Sequence, residues 1–140
     1  MSADTRKPVL VIGLGRFGSA VATTLERMDH EVLGVDLDQA IVDDHKNLLT
    51  QVVEADCTEL ETLQRLGAGE FDSAVVAIGT NIEASVLIVL ALTDVGIPNI
   101  WAKATTERHG RILERTGAHH VVFPERTMGE RVARLVNERL

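Results

Sequence analysis

Tyrosine is missing from this 140-residue chain, and aromatic content is 3%, supplied by three phenylalanines and one tryptophan. Without tyrosine there is no Tyr–Lys pair of the kind short-chain dehydrogenases use to move a proton. One cysteine, Cys57, excludes an internal disulfide and suits a reducing cytosol. No apolar run reaches 18 residues, so no segment reads as a membrane span. The start, "MSADTRKP", lacks the apolar core of a secretory signal. Positive charge is also short: 14 Lys and Arg against 21 Asp and Glu give a net charge of −7. That balance opposes general affinity for nucleic acid or anionic lipid, although a phosphate site needs only a few well-aimed donors. What remains, 45% hydrophobic and 25% charged, fits one soluble folded domain.

Short β-branched runs alternate with longer segments of helical period. "PVLVIGL" (8–14), "EVLGVD" (31–36), "TQVVEAD" (50–56), "SAVVAIG" (73–79), "NIWAKA" (99–104) and "HHVVFP" (119–124) read as strands. Helices are expected from about Phe17 to Met28, from near Asp38, after Thr58, over 81–95, over about 106–116 and from about Thr127. Thr58 with Glu61 three residues on forms a capping-box pattern. Gly67, Gly96 and Gly117 each stop a helical stretch. The first, fourth and sixth strands are nearly continuous apolar runs, as when both sheet faces are covered. Six β–α units predict a Rossmann-like, doubly wound α/β fold. Its parallel six-stranded sheet carries helices on both faces, in strand order 3-2-1-4-5-6. Residues 1–7 are expected to fray, and no repeat, linker or low-complexity tract interrupts the rest.

"IGLGRFG" (12–18) follows a strand and opens a helix, the context that turns a common glycine pattern into a phosphate-binding fingerprint. Gly13 would make the tight turn, Gly15 would let the backbone approach phosphate, and Gly18 would let the helix pack on the strand. The helix N-terminus then presents free N–H groups to an anion. The matching acid is Asp36, which ends strand two and can accept both ribose hydroxyls of an adenosine. A 2′-phosphate would meet a like charge there, and no Arg or Lys lies between Asp36 and Asp44 to relieve it, so NADP is disfavoured. Ligands of such sheets lie beyond the carboxyl ends of the strands. That edge includes Asp56, Cys57 and Thr58, then Ala77, Ile78 and Gly79, then Lys103. Asp56 could accept from an adenine amino group, and Lys103 could reach an anion or snorkel to the edge.

Catalytic groups are harder to find. The histidines are His30, His45, His109, His119 and His120, and no pair has zinc spacing. His109, within "TTERHGR", is expected to be exposed. The pattern favours a binding module over an enzyme.

The stretches "VIGLGRFG", "VDLD", "VVAIGTNIEAS", "PNIWAKA" and "GAHHVVFPERTMGERVA" resemble the regulatory RCK domains, also called KTN or TrkA-N domains. The resemblance runs from Val9 to about Leu135 and is strongest to cytosolic subunits of Ktr-type bacterial potassium uptake systems. It implies a non-enzymatic, cytoplasmic nucleotide sensor that gates an integral-membrane potassium channel or transporter. The sensor would assemble from dimers into octameric rings, with no membrane insertion of its own. ATP or ADP is the implied ligand, with NAD or NADH across the wider family. Residue by residue, Gly13, Gly15, Arg16, Phe17 and Gly18 would form the phosphate loop, and Asp36 with Leu37 would hold the ribose. Asp56 and Cys57 would lie on the adenine side, Ile78, Gly79 and Asn81 beside sugar and phosphates, and Lys103 near the phosphates. Arg16 would sense a γ-phosphate, and Glu125 would bind Mg2+, Ca2+ or Na+ between paired subunits. The implied division is a nucleotide-binding N-lobe over 8–124 and a crossover helix over 125–140. The family's further C-terminal lobe is missing, as in a trimmed chain or a minimal member.

Two helices carry their own signal. "NIEASVLIVLALTDV" is apolar around most of its circumference, which suits either a subunit contact or cover by neighbouring elements. "ERTMGERVARLVNERL" places Met128, Val132, Leu135 and Val136 on one stripe, to cross to a partner or to pack on its own sheet. The competing readings are the cofactor half of an NAD-dependent dehydrogenase and a scaffold whose nucleotide is structural.

Overall fold

Branched apolar residues form the first strand, β1 (Val9–Ile12), and the glycine turn leads from it into α1 (Arg16–Arg27). The same alternation continues through β2 (Val32–Asp36), α2 (Gln39–His45), β3 (Gln51–Glu54), α3 (Leu60–Arg65) and β4 (Ser73–Val76). It ends with α4 (Ile82–Val95), β5 (Asn99–Lys103), α5 (Glu107–Thr116), β6 (His120–Val122) and α6 (Pro124–Asn137). A computed structural model describes residues 7–140 of this arrangement, so residues 1–6 of the expected frayed start lie outside the described residues. All strand pairs are parallel, in the expected order β3-β2-β1-β4-β5-β6.

Register decides where a ligand can go. Ile12 pairs with both Val35 and Val76, and Val76 pairs with Ala102. The residues one step further on, Gly13, Asp36, Ala77 and Lys103, therefore stand level along one edge of the sheet. This edge is the carboxyl end where chain reversal between β1 and β4 opens a crevice.

Alternate residues of β1 feed two separate cores. Leu10 and Ile12 join Leu33, Val35, Val76 and Ile100 beneath Leu63 of α3, Ile88, Val89 and Leu92 of α4, and Leu113 of α5. Val9 and Val11 face the other way, against Val32, Leu49 and Ala22 of α1. Removing a buried leucine from such a core costs about 2–5 kcal/mol. The second face is covered over β1–β3 and at Val75 of β4. Across β5 and β6 it is open: Trp101 is 40% exposed and stacks on His120 at 4.0 Å between ring centroids. Full cover of the sixth strand, expected from its apolar run, is not found, because α6 leaves the sheet and buries none of its residues.

Two local expectations also give way. α3 begins at Leu60 behind Glu59, without the Thr58–Glu61 capping box. Thr58 instead gives its N–H and hydroxyl to Asp56, at 3.0 and 2.7 Å, since a charged oxygen two residues back is the stronger acceptor. His109 is 1% exposed. It shares one side of α5 with Leu113, four residues on, while the charged neighbours occupy the rest of the turn.

Gly13 and Gly18 fix the turn. Gly13 has φ +97°, and a Cβ at Gly18 would stand 1.8 Å from the Gly13 carbonyl oxygen. Backbone cannot yield as a flexible side-chain tip can. Gly18→Ala should therefore lose about 3 kcal/mol or more of stability, read as a lowered urea midpoint, and an unchanged midpoint would contradict the packing.

Candidate functional site

A cleft of ≈ 1390 Å³ opens above the level row of strand ends. It exceeds the ≈ 300–1,000 Å³ usual for small-molecule pockets and so has room for a nucleotide. Gly13, Gly15, Arg16 and Phe17 line it from the first turn, and Asp36 and Leu37 from the end of β2. Asp56 and Cys57 follow β3, Ile78, Gly79 and Asn81 follow β4, Lys103 ends β5, and Glu125 opens α6. Of the expected site residues only Gly18 stays off the lining, buried instead against Gly13.

The N-terminus of α1 has the character of an anion site. Gly15 supplies no side-chain cap, and no acid sits in the first turn. By contrast, side chains of Asp38, Asn81 and Thr106 cap α2, α4 and α5. An uncapped helix start leaves N–H groups and the positive dipole end for a ligand. Arg16 is exposed at this mouth.

Asp36 braces the turn from the neighbouring strand. Its Oδ2 accepts the Leu14 N–H at 2.8 Å and its Oδ1 the Asp38 N–H at 2.9 Å. Each carboxylate oxygen keeps a further lone pair, so ribose hydroxyls can still be accepted. Hydrogen bonds from Thr58 hold the Asp56 carboxyl below its ordinary pKa, so it presents an acceptor. Beside it Cys57 is buried, and burial together with the Asp56 charge pushes its thiol pKa up to about 12.

Lys103 is the cation of the cleft floor. Its side chain is 15% exposed, and its Nζ lies 3.5 Å from Oε2 of Glu125 and 5.8 Å from the Phe17 ring centre. Gly79 makes room for it: a Cβ there would sit 3.0 Å from both Cε and Nζ. Glu125 is 74% exposed with an ammonium as its partner, and no group of three or more metal-ligating side chains occurs among the described residues.

Sequence reasoning passed over Thr105, Met128 and Val132 as cleft residues. Thr105 lies just past the carboxyl end of β5, where the strand-edge rule would have found it. Met128 and Val132 were legible as a stripe, but nothing local says that α6 turns this stripe toward the cleft mouth.

A parallel doubly wound sheet, a glycine turn into an uncapped helix and an acid on the second strand define a Rossmann-like domain with a nucleotide-sized cleft. The chain belongs to the TrkA-N domain family, whose model matches residues 9–124. It is 42% identical over 138 residues to Ktr system potassium uptake protein A of Bacillus subtilis (strain 168), covering 99% of this chain and 62% of that protein. Against Ktr system potassium uptake protein A of Vibrio alginolyticus it is 39% identical over 128 residues, covering 91% and 58%. The chain thus spans about three fifths of the length of these relatives.

Solved structures share the fold. The TrkA-N domain of the Escherichia coli inner membrane protein YbaL superposes with a TM-score of 0.82 at 21% identity, over 91% of this chain and 94% of that one. GsuK, solved as a channel bound to NAD and also bound to ADP, gives 0.74 at 20% identity in both cases. These cover 87% and 88% of this chain, and 22% and 32% of theirs. The Shewanella denitrificans Kef C-terminal domain in its AMP-bound form gives 0.73 at 24% identity, over 92% of this chain and 81% of that one.

Burial and the Asp56 charge hold the Cys57 thiol protonated at pH 8. A disulfide reagent at pH 8 should leave the folded chain unmodified and label it on addition of denaturant. Stoichiometric labelling of the native chain would refute the buried, protonated thiol.

Proposed function

We propose that this chain is the nucleotide-sensing lobe of a regulator of potassium uptake. In this reading it binds ATP or ADP in the cleft and biases a membrane potassium transporter subunit from the cytoplasmic side. One observation carries the reading: a single cleft is lined by both halves of the adenosine fingerprint, Gly13–Phe17 and Asp36. Kinship with Ktr uptake proteins supports the potassium role, and the ADP-, NAD- and AMP-bound structures of the same fold support the ligand class. NADH fits the same groove, whereas NADP would set a phosphate beside Asp36.

Kinship with the Ktr uptake proteins also favours binding over catalysis. No histidine lines the cleft. His30 bonds the Lys7 carbonyl, His45 joins Ser19 to Ile41, and His119 accepts the Ile100 N–H. His120 stacks on Trp101, and His109 is buried in α5. Burial holds the nearby thiol protonated, and Asp56 accepts from Thr58.

The adenosine sugar lies on Asp36 with Leu37 beside it, and adenine reaches Asp56 and Cys57. The phosphates rest on the N–H groups of α1, with Ile78, Gly79, Asn81 and Lys103 opposite. Arg16, at the mouth, meets a γ-phosphate. Exposed apolar surface supports assembly with further copies, as dimers and then an octameric ring: Leu87 and Leu90 on α4, and Met128, Val132, Leu135 and Val136 on α6. A cation at Glu125 would need groups from a second copy. A nucleotide shifts such an assembly only by its difference in affinity between arrangements, about 1.4 kcal/mol per site for a tenfold difference.

Two variants test the assignments. Asp36→Ala should weaken every adenosine ligand at least about tenfold by calorimetry, since it removes the ribose acceptor and the brace on Leu14. Equal affinity would discard the ribose site. Arg16→Ala should keep ADP binding and lose most of the preference for ATP, and an intact preference would remove Arg16 from phosphate sensing. A thermal-shift panel of AMP, ADP, ATP, NAD, NADH and NADP ranks the ligands, and no shift with any of them would end the sensor reading.

A further inference from the structure

His109 is fully buried beneath the cleft and bonded at both ring nitrogens. The Thr105 N–H donates to Nδ1 at 3.2 Å, so that nitrogen carries the lone pair. The proton therefore sits on Nε2, which donates to Ser85 Oγ at 2.8 Å, and the Ser85 hydroxyl in turn donates to the Ile82 carbonyl at 2.8 Å. Burial lowers the His109 pKa and keeps this neutral tautomer in place. The reach back to Thr105 resembles the return arm of a capping box, with Thr106 as the cap that accepts the His109 N–H at 3.1 Å. Local capping does not need the other half, which crosses to a different helix.

The two ends of the imidazole thus hold two walls of one cleft. Ser85 and Ile82 belong to the first turn of α4, whose cap Asn81 and neighbour Ala84 line the cleft. Thr105 lines it from the other side, two residues beyond Lys103. Between them Ala104 is pinned by its N–H to the Val122 carbonyl at 2.8 Å. Gly79 lies where these walls meet, in reach of Lys103 Cε and Nζ and of Thr105 Cγ2.

We propose that His109 is a positioning residue that anchors the Lys103–Thr105 segment at the cleft wall, and thereby sets the preference of the cleft for phosphorylated over unphosphorylated adenosine. The proposal rests on the reading that adenine nucleotides bind here with their phosphates toward Lys103. The Thr105 bond is the one that matters for phosphate, because it anchors the segment carrying the ammonium.

Three substitutions separate the two ends. His109→Gln keeps an N–H for Ser85 and loses the acceptor for Thr105. His109→Asn keeps an acceptor near the Nδ1 position and loses the N–H for Ser85, and His109→Phe loses both. The readout is the ratio of adenosine to ATP dissociation constants for the full chain. Both ligands meet the same folded fraction, so a plain loss of stability cancels from this ratio. The ratio should fall about tenfold in His109→Gln and His109→Phe and stay within about twofold of the parent in His109→Asn. An unchanged ratio in His109→Gln, or an equal fall in His109→Asn, overturns the positioning role. A parent chain that binds ATP no better than adenosine overturns the phosphate reading itself, a result visible before any variant is made. Amide exchange on the parent gives a check free of folding defects. ATP should slow exchange at Thr105 more than adenosine does, and equal protection would refute the proposal.

Discussion

The approach of α1 to the Gly13 carbonyl is the constraint on which the cleft depends. With 1.8 Å between that oxygen and the place a Gly18 Cβ would take, the helix can start only if residue 18 has no side chain. At the same turn Gly13 takes a positive φ, one step beyond Ile12, which pairs with Val35 of β2 and Val76 of β4. Asp36 then ties the turn to the second strand through the Leu14 N–H. The backbone that opens α1 is thus held by its own geometry and by one carboxylate. A pre-formed anion site loses little ordering entropy on binding, so more of the contact energy appears as affinity.

The parts of this arrangement that are local in sequence were legible. Gly13, Gly15, Gly18 and Asp36 lie within one β–α–β unit, and their spacing is dictated by chain geometry that any reader can reconstruct. Strand order followed from strict β–α alternation, because right-handed crossovers leave few ways to wind a parallel sheet. Boundaries were less legible. β4 ends at Val76, three residues before the stretch read as a strand does, and Ala77, Ile78 and Gly79 line the cleft beyond it.

What sequence hid were the non-local choices. His109 sits among charged neighbours, and its composition says surface. Helical phase says otherwise, because position 109 falls on the same side as Gly110 and Leu113. Thr58 had a capping partner three residues on, yet Asp56 was nearer and charged. α6 carried a clear apolar stripe, but a stripe names a face and not what the face meets. In this fold it meets neither the open half of the sheet nor the main core.

The position of that last helix links cleft and surface without an intervening relay. Met128 and Val132 line the cleft and also head the exposed stripe that continues through Leu135 and Val136. Glu125, at the base of the same helix, shares its ammonium partner with whatever anion the floor would hold. A ligand filling the cleft and a surface covering the stripe therefore act on the same side chains. Coupling between two such events requires no chain of displaced residues through the core. By linkage, whatever free energy a covered stripe adds to or takes from ligand binding is returned in equal measure by the ligand to the covering of the stripe.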